Sequence, residues 1–274
     1  MAFFKLLRKS PLTARVGLAM ILLNAAAAIL APVIAPYSET EVVGDVWMPM
    51  SSEHLLGTDH IGRDLFTRLL YGARNTIAIA FVITMFSFAI GISCGFFAAT
   101  LGGWIDLILS RLVDILMAIP VLIFALVVLA IVGNSIPKLV VVIALLDSTR
   151  VYRLSRAVAM DIEVMEYVEA ARLRGEGTWW LMRHEILPNA MPPLVAEFGL
   201  RFCFVFLFIA ALSFLGLGIQ PPTADWGGMV RENSGAITFG IFTPLWPAAA
   251  IAFLTVGVNF IVDWFLHVAS GLKD

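Results

Sequence analysis

The sequence predicts an all-α polytopic membrane protein with six transmembrane helices, and three observations carry that prediction. Hydrophobic residues make up 60% of the 274 positions and charged residues only 14%, where soluble domains average about 25% charged. Mean hydropathy is +0.93. The apolar residues also fall in long continuous runs, whereas strands crossing a membrane would alternate.

A helix needs about 20 apolar residues to cross the hydrocarbon core, and six segments meet or approach that length. The first, Val16–Ala35, ends at Pro36. Basic residues precede it as in a signal peptide, but its apolar stretch is long for one and further spans come after it, so an uncleaved first helix is expected. Asn75–Leu101 and Leu107–Val132 are the second and third. The fourth starts at Pro137, the fifth covers Leu194–Ile219, and the last runs Pro244–His267. In the second, Gly91 and Gly95 form a GxxxG step suited to close helix packing. Cys94 and Cys203 lie in apolar runs and read as small buried thiols.

Orientation is set by the loop lysines and arginines. With the N-terminus inside, the cytoplasmic side receives Lys5, Arg8, Lys9, Arg15, Arg111, Arg150, Arg153, Arg156, Arg172, Arg174, Arg183 and Lys273. The outside receives Arg63, Arg68, Arg74, Lys138 and Arg231. Both termini are therefore expected in the cytoplasm. The fourth span is the weakest, because only "LVVVIALL" is strongly apolar before Asp147. Arg150, Arg153 and Arg156 then recur along one helical stripe. Lipid does not tolerate that stripe, so this half must be covered by protein or reach into water, as an anchor or as a stalk for the next segment.

That next segment is a charged island. Asp161 to Arg174 is expected to form a short amphipathic helix, with Val164, Tyr167, Val168 and Ala171 on one face. Its acids come early and its bases late, complementing the helix dipole. Gly175 suits a left-handed helix end. Thr178 can cap a second helix, Trp179 to Leu187, stopped by Pro188. The expected product, over 161–188, is a helix–turn–helix hairpin with exposed aromatics, shaped to dock into a groove on another protein.

Glu169-Ala170-Ala171, Gly175 and Leu187-Pro188 resemble the EAA loop of ABC importer permeases, with Glu185 standing where an apolar residue is usual. "HLLGTDHIGRDLFTRLLYGAR" (54–74) and "LSFLGLGIQPPTADWGGMV" (212–230) resemble the dipeptide/oligopeptide/nickel permeases, specifically their shorter subunit. The resemblance implies a type I importer permease fold. An N-terminal anchor helix and extracytoplasmic segment (1–72) would precede a permease domain (73–268). It also implies partners in a bacterial inner membrane: a second related permease, two ATPase subunits and an extracytoplasmic solute-binding protein. Glu169, Ala170, Ala171, Gly175, Leu187 and Pro188 would then couple ATPase closure to the membrane helices. Peptides are the expected solute, with nickel complexes, oligosaccharides or opine-like solutes as alternatives.

The residues agree on one point independently. The chain has no G-x-x-x-x-G-K-[ST] loop, so ATP energy must come from a partner. No cofactor is expected, and a net charge of −2 gives no reason to expect nucleic acid.

Other groupings remain open at this level. His54, Asp59, His60 and Asp64 form the most metal-like cluster, though their Gly-rich spacing suits a structural loop. The same residues underlie the competing reading of an intramembrane enzyme, for which no nucleophile–base pair can be assigned. An ion channel would leave the hairpin without a purpose. Glu197 and Arg201 sit four apart, in the favourable order for a helical pair. Asp147 with Arg150, and Arg111 with Asp114, repeat the theme at three apart. These charges neutralise one another or line a pathway. Asn259 and Asp263 are weaker pathway candidates. Trp226 is expected either to touch a binding protein or to anchor at the interface.

Overall fold

The structure is a computed structural model, and it describes residues 10–269. Lys5, Arg8, Lys9 and Lys273, which contribute to the charge asymmetry of the sequence, lie outside the described residues. Within them the chain is helical, with only two isolated antiparallel bridges, Val42 to Arg63 and Thr58 to Asp64, in an outlying loop.

Helix α1 (Leu12–Ile34) stops before Pro36, which biases the preceding residue toward extended backbone. Helix α2 (Leu65–Leu101) starts ten residues before the apolar run predicts, because Asp64 caps it by accepting the Thr67 N–H at 2.7 Å. Gly102 and Gly103, both at positive φ, break the chain into α3 (Gly103–Ala118). Helices α4 (Val121–Val132), α5 (Ile136–Glu163), α6 (Glu166–Leu173) and α7 (Thr178–Leu181) come next. A π-turn over Met182–Ile186 leads into α8 (Leu187–Phe214). The short α9 (Trp226–Glu232) and α10 (Leu245–Ala269) complete the fold.

Among the described residues, four helical segments are long and apolar enough to cross a membrane: Leu12–Ile34, Leu65–Leu101, Thr178–Phe214 and Leu245–Val268. The expected third span is not one continuous helix. Helices α3 and α4 meet at 90° around Ile119-Pro120 and qualify only as a bent pair. Ile119 is extended, as the residue before a proline prefers; apolar composition runs through the bend and conceals it. Helix α5 is long, but its arginine stripe keeps it out of the apolar set.

The expected fifth span is also shifted. Pro188 does not stop a helix; it sits in the first turn of α8, where a proline without an N–H is tolerated. The Leu187 N–H reaches back five residues to the Met182 carbonyl, and the Asn189 side chain covers the Glu185 carbonyl at 2.6 Å. Helix α8 ends at Phe214 rather than Ile219, with Gly216 at φ 88°.

The most extensive helix pairing is between α2 and α5. A Cβ on Gly91 would fall 2.6 Å from the Val151 Cβ, and one on Gly95 2.8 Å from the Ser155 Cβ. Glycine alone permits this approach. The main core lies among α2, α4, α5, α8, α9 and α10, around Ile83, Leu129, Ile143, Phe206 and Ile209. Helices α3 and α4 pack on α2, α5 and α8, whereas α1 and α10 pack on each other and on α2 and α8.

Candidate functional site

The island folds as two short helices around a tight turn. Helix α6 ends in a Schellman arrangement: the Glu176 N–H reaches the Ala171 carbonyl at 3.2 Å and the Gly175 N–H reaches Arg172 at 2.9 Å. Gly175 has φ 87°. Two expectations for α6 need correction. The helix begins at Glu166, because α5 runs on through Glu163, so Asp161 belongs to the longer helix. Val164 then lies in the turn between them and is 82% exposed, and Tyr167 is exposed as well; only Val168 and Ala171 are buried. These two pack with Leu181, Met182, Ile186 and Ala190 beneath the ends of α2 and α5, through Phe96 and Ile162.

The rest of the hairpin is bare. Leu173 is 84% and Trp179 64% exposed, and Glu169, Ala170 and Arg174 are exposed beside them. Arg172 pairs with Glu163. Trp180 stacks on His184, their ring centroids 4.7 Å apart. Glu185 is half-buried next to a fully buried Ile186, so an apolar neighbour fills the core while Glu185 keeps to its edge. Pro188 is exposed and Leu187 packs against the small core.

The charges of α5 and α8 pair differently from the local expectation, except in one case. Glu197 and Arg201 do pair, at 2.7 Å. Asp147 turns to Arg201 at 3.6 Å instead of to Arg150. Arg150 lies over the Phe204 ring, 4.5 Å from its centroid, and Arg201 is 5.2 Å from the same ring. Phe204, which no sequence pattern singled out, thus meets two cations. Asp147 is 3% exposed, with the Ser87 hydroxyl and the Arg201 guanidinium as its polar neighbours. Asp114 pairs with Arg153 at 2.6 Å rather than with Arg111, and Asp106 takes both ends of the Arg156 guanidinium. Ser110 and Tyr152 bond between those pairs at 2.9 Å. Helix α3 therefore supplies counter-charges to Arg153 and Arg156, while Arg150 turns to α8. The signal was present: Asp106, Ser110 and Asp114 recur every fourth residue, a polar stripe matching the arginines.

At the Leu65 end of α2 lies a third group. His54 Nδ1 is 3.2 Å from Asp64 Oδ1. Asp59 holds Arg63 at 2.6 Å and Arg68 at 3.4 Å, and Glu232 of α9 holds the same two arginines at 3.1 and 3.2 Å. Asp59, His60 and Glu232 bring ligand atoms within 4.8 Å of one another, but both carboxylates are already engaged by arginine. Glu232 and Arg68 were missed because their partners lie far along the chain. Beside this network is a polar cavity of about 340 Å³, lined by His60, Arg68, Gln220, Asp225 and Arg231 among others. Asp225 is fully buried, and burial raises its carboxyl above the usual carboxylate range despite hydrogen bonds from Gly228 and Thr76. Trp226 is only 2% exposed, and its Nε1 donates to the Leu69 carbonyl at 2.9 Å. Both expectations for Trp226 fail, since it is a packing residue between α2 and α8.

In comparison with known proteins, residues 91–270 match the family described as binding-protein-dependent transport system inner membrane component. The dipeptide transport system permease protein DppC of Alkalihalophilus pseudofirmus is 36% identical over 99% of this chain and 87% of its own length. The di/tripeptide transport system permease protein DppC of Pseudomonas aeruginosa is 36% identical over 94% of this chain and 85% of its own. The glutathione transport system permease protein GsiD of Pectobacterium atrosepticum is 33% identical over 82% and 72%.

Proposed function

The chain belongs to the binding-protein-dependent transport system inner membrane component family, and we propose that it forms one half of a peptide pathway in an ABC importer. It is a permease, working in a complex with other subunits. The proposed assembly adds a second related permease, two ATPase subunits and an extracytoplasmic binding protein, with ATP hydrolysis confined to the ATPases. Di- and tripeptides are the proposed solutes, in keeping with the names of the relatives.

The proposed topology has six spans in a bacterial inner membrane, with both termini cytoplasmic. It counts the bent α3–α4 pair as one span. It counts α5 as another because Asp106 and Asp114 neutralise Arg156 and Arg153 across the helix pair. Residues 1–72 serve as anchor and extracytoplasmic segment and 73–268 as the permease domain. Cysteines placed at the exposed Ser51 and Ser234 should react with an impermeant thiol reagent added outside. One at Glu176 should not, and its labelling in intact cells would reverse the orientation.

The observation that carries the coupling role is the hairpin itself. Its inner face is packed under α2 and α5, while its outer face presents Leu173, Trp179 and Glu169 to a partner. Through Glu169, Ala170, Ala171, Gly175, Leu187 and Pro188, ATPase closure would move the membrane helices. A Cβ on Gly175 meets nothing within 4 Å, so a substitution there acts through backbone conformation alone. Gly175→Val should leave membrane insertion near normal, abolish uptake of a labelled dipeptide and reduce recovery of the ATPases with the purified permease. Glu169→Lys should do so more mildly. Normal uptake and ATPase recovery in Gly175→Val would refute the coupling role.

A further inference from the structure

An apolar groove of about 660 Å³ lies between α1, α2, α8 and α10. Its walls include Ile21 and Ile29 of α1, Ala78 and Phe81 of α2, and Phe198 and Phe202 of α8. All four helices belong to segments apolar enough to cross a membrane, so the groove faces hydrocarbon. Helix α1 is pinned to α10 where Gly17 and Gly257 cross, the Gly17 Cβ position lying 2.7 Å from the Gly257 carbonyl oxygen. Farther along α1, Ala28 and Ala31 are buried, while Leu22, Leu23, Ile29 and Val33 are exposed.

One charged side chain lines the groove, Arg74. It is exposed, and no hydrogen bond or ion pair joins it to a described residue. Its depth is fixed by helix geometry. At 1.5 Å per residue the 37 residues of α2 span about 55 Å, well beyond a hydrocarbon core of about 30 Å. Arg74 sits about 14 Å from the Leu65 end, near the level where such a helix leaves the core. Ile77, Ala78 and Phe81 come three, four and seven residues later, on the same face and deeper along the groove.

We propose that this groove binds an anionic phospholipid, an acyl chain lying in the apolar trough and the phosphodiester resting on Arg74. No acidic side chain lines the groove to receive a headgroup ammonium, so phosphatidylglycerol fits better than phosphatidylethanolamine. The site lies on the α1 and α10 flank. The broadly exposed apolar surfaces of α3 and α4, which include Ile108, Leu112, Ile115, Ile123 and Ile131, lie on the other and remain free for a partner subunit.

The test uses the full-length chain with its copurifying subunits, extracted in mild detergent from vesicles of equal phosphatidylglycerol and phosphatidylethanolamine. Native mass spectrometry then counts the lipids retained. The wild type should keep phosphatidylglycerol in preference by about fivefold, the factor that one interfacial cation supplies. Arg74→Gln should lose that preference while thermal unfolding stays unchanged, and Arg74→Lys should restore it. Ala78→Phe, which fills the trough, should lose the bound lipid whatever its headgroup. A phosphatidylglycerol with a photoreactive acyl chain should label the peptides containing Phe81 and Phe202. Equal retention of both lipids by the wild type, or an undiminished preference in Arg74→Gln, would overturn the proposal. So would crosslinking of an Ala78→Cys variant to a partner helix in place of lipid.

Discussion

Two buried charge clusters in this molecule use the same residue types to opposite effect. At the Leu65 end of α2, Asp59 and Glu232 share Arg63 and Arg68, and Asp59 Oδ1 also accepts the backbone N–H groups of Ile61 and Arg63 at 3.0 and 2.9 Å. Between α5 and α8, Arg201 reaches Glu197 of its own helix at 2.7 Å and Asp147 of the neighbouring helix only at 3.6 Å, while Arg150 lies over the Phe204 ring. Directional bonds fail within a few tenths of an ångström, whereas bare Coulomb attraction falls only as the inverse of distance. The first cluster holds loop and helix together by several short contacts, whereas the second joins α5 to α8 by one longer ion pair.

The sharpest way to break the comparison is to remove Arg68, which is 1% exposed. Arg68→Ala leaves two carboxylates to share Arg63 alone and should cost about 3 kcal/mol of stability, seen as loss of monodisperse protein after extraction. A well-folded Arg68→Ala protein would show that the network is dispensable. Next in size is Arg201→Gln, which leaves Asp147 and Glu197 facing each other and should lower thermal stability by about 2 kcal/mol. Glu197→Gln should cost less, since Arg201 keeps Asp147, and the double variant should recover part of the loss. Strictly additive losses would mean the two residues act separately, for instance on the solute.

Smaller still is Asp147→Asn. With Arg201 still held by Glu197, it should change stability by less than about 1 kcal/mol while altering peptide uptake. A loss as large as that of Arg68→Ala would place Asp147 among the fixed charges. The smallest effect concerns Asp225, whose carboxyl is raised by burial. Above its ordinary value of 3.8, the folded protein holds a proton that the unfolded chain has released. Stability therefore falls as pH rises from there through the folded value. Asp225→Asn should flatten that slope in thermal melts taken between weakly acidic and neutral pH.

What the sequence revealed divides along the same line as these clusters, local against long-range. Glu197 and Arg201 were legible as a pair because four residues on one helix fix their distance. The partner of Asp147 was not, since it depends on how α8 lies against α5. The left-handed Gly175 and the glycine step at 91 and 95 were readable, because a missing Cβ has few uses inside a regular element. The bend at Pro120 was obscured by apolar residues on both sides. At Pro188 the helix persists because a π-turn precedes it, and no propensity predicts that. Trp226 looked like an interfacial residue by type, yet Gly72 leaves room for its ring and the Leu69 carbonyl takes its N–H.

Helix α2 carries a mechanical consequence. Its capped end is bolted into the arginine network through Arg68, and Phe96, near its other end, is a wall of the small core beneath the hairpin. Between them, Gly91 and Gly95 seat it on α5 with no slack. An unbroken helix bends little, so α2 is built as a beam: under the proposed coupling role, a tilt imposed at the hairpin would reappear as a displacement at the opposite rim. The loop around Asp59, the capping turn of α2 and, through Glu232, the segment containing α9 must all travel with it. Under that role a single strut would join the two rims, and no relay of side chains would be required between them.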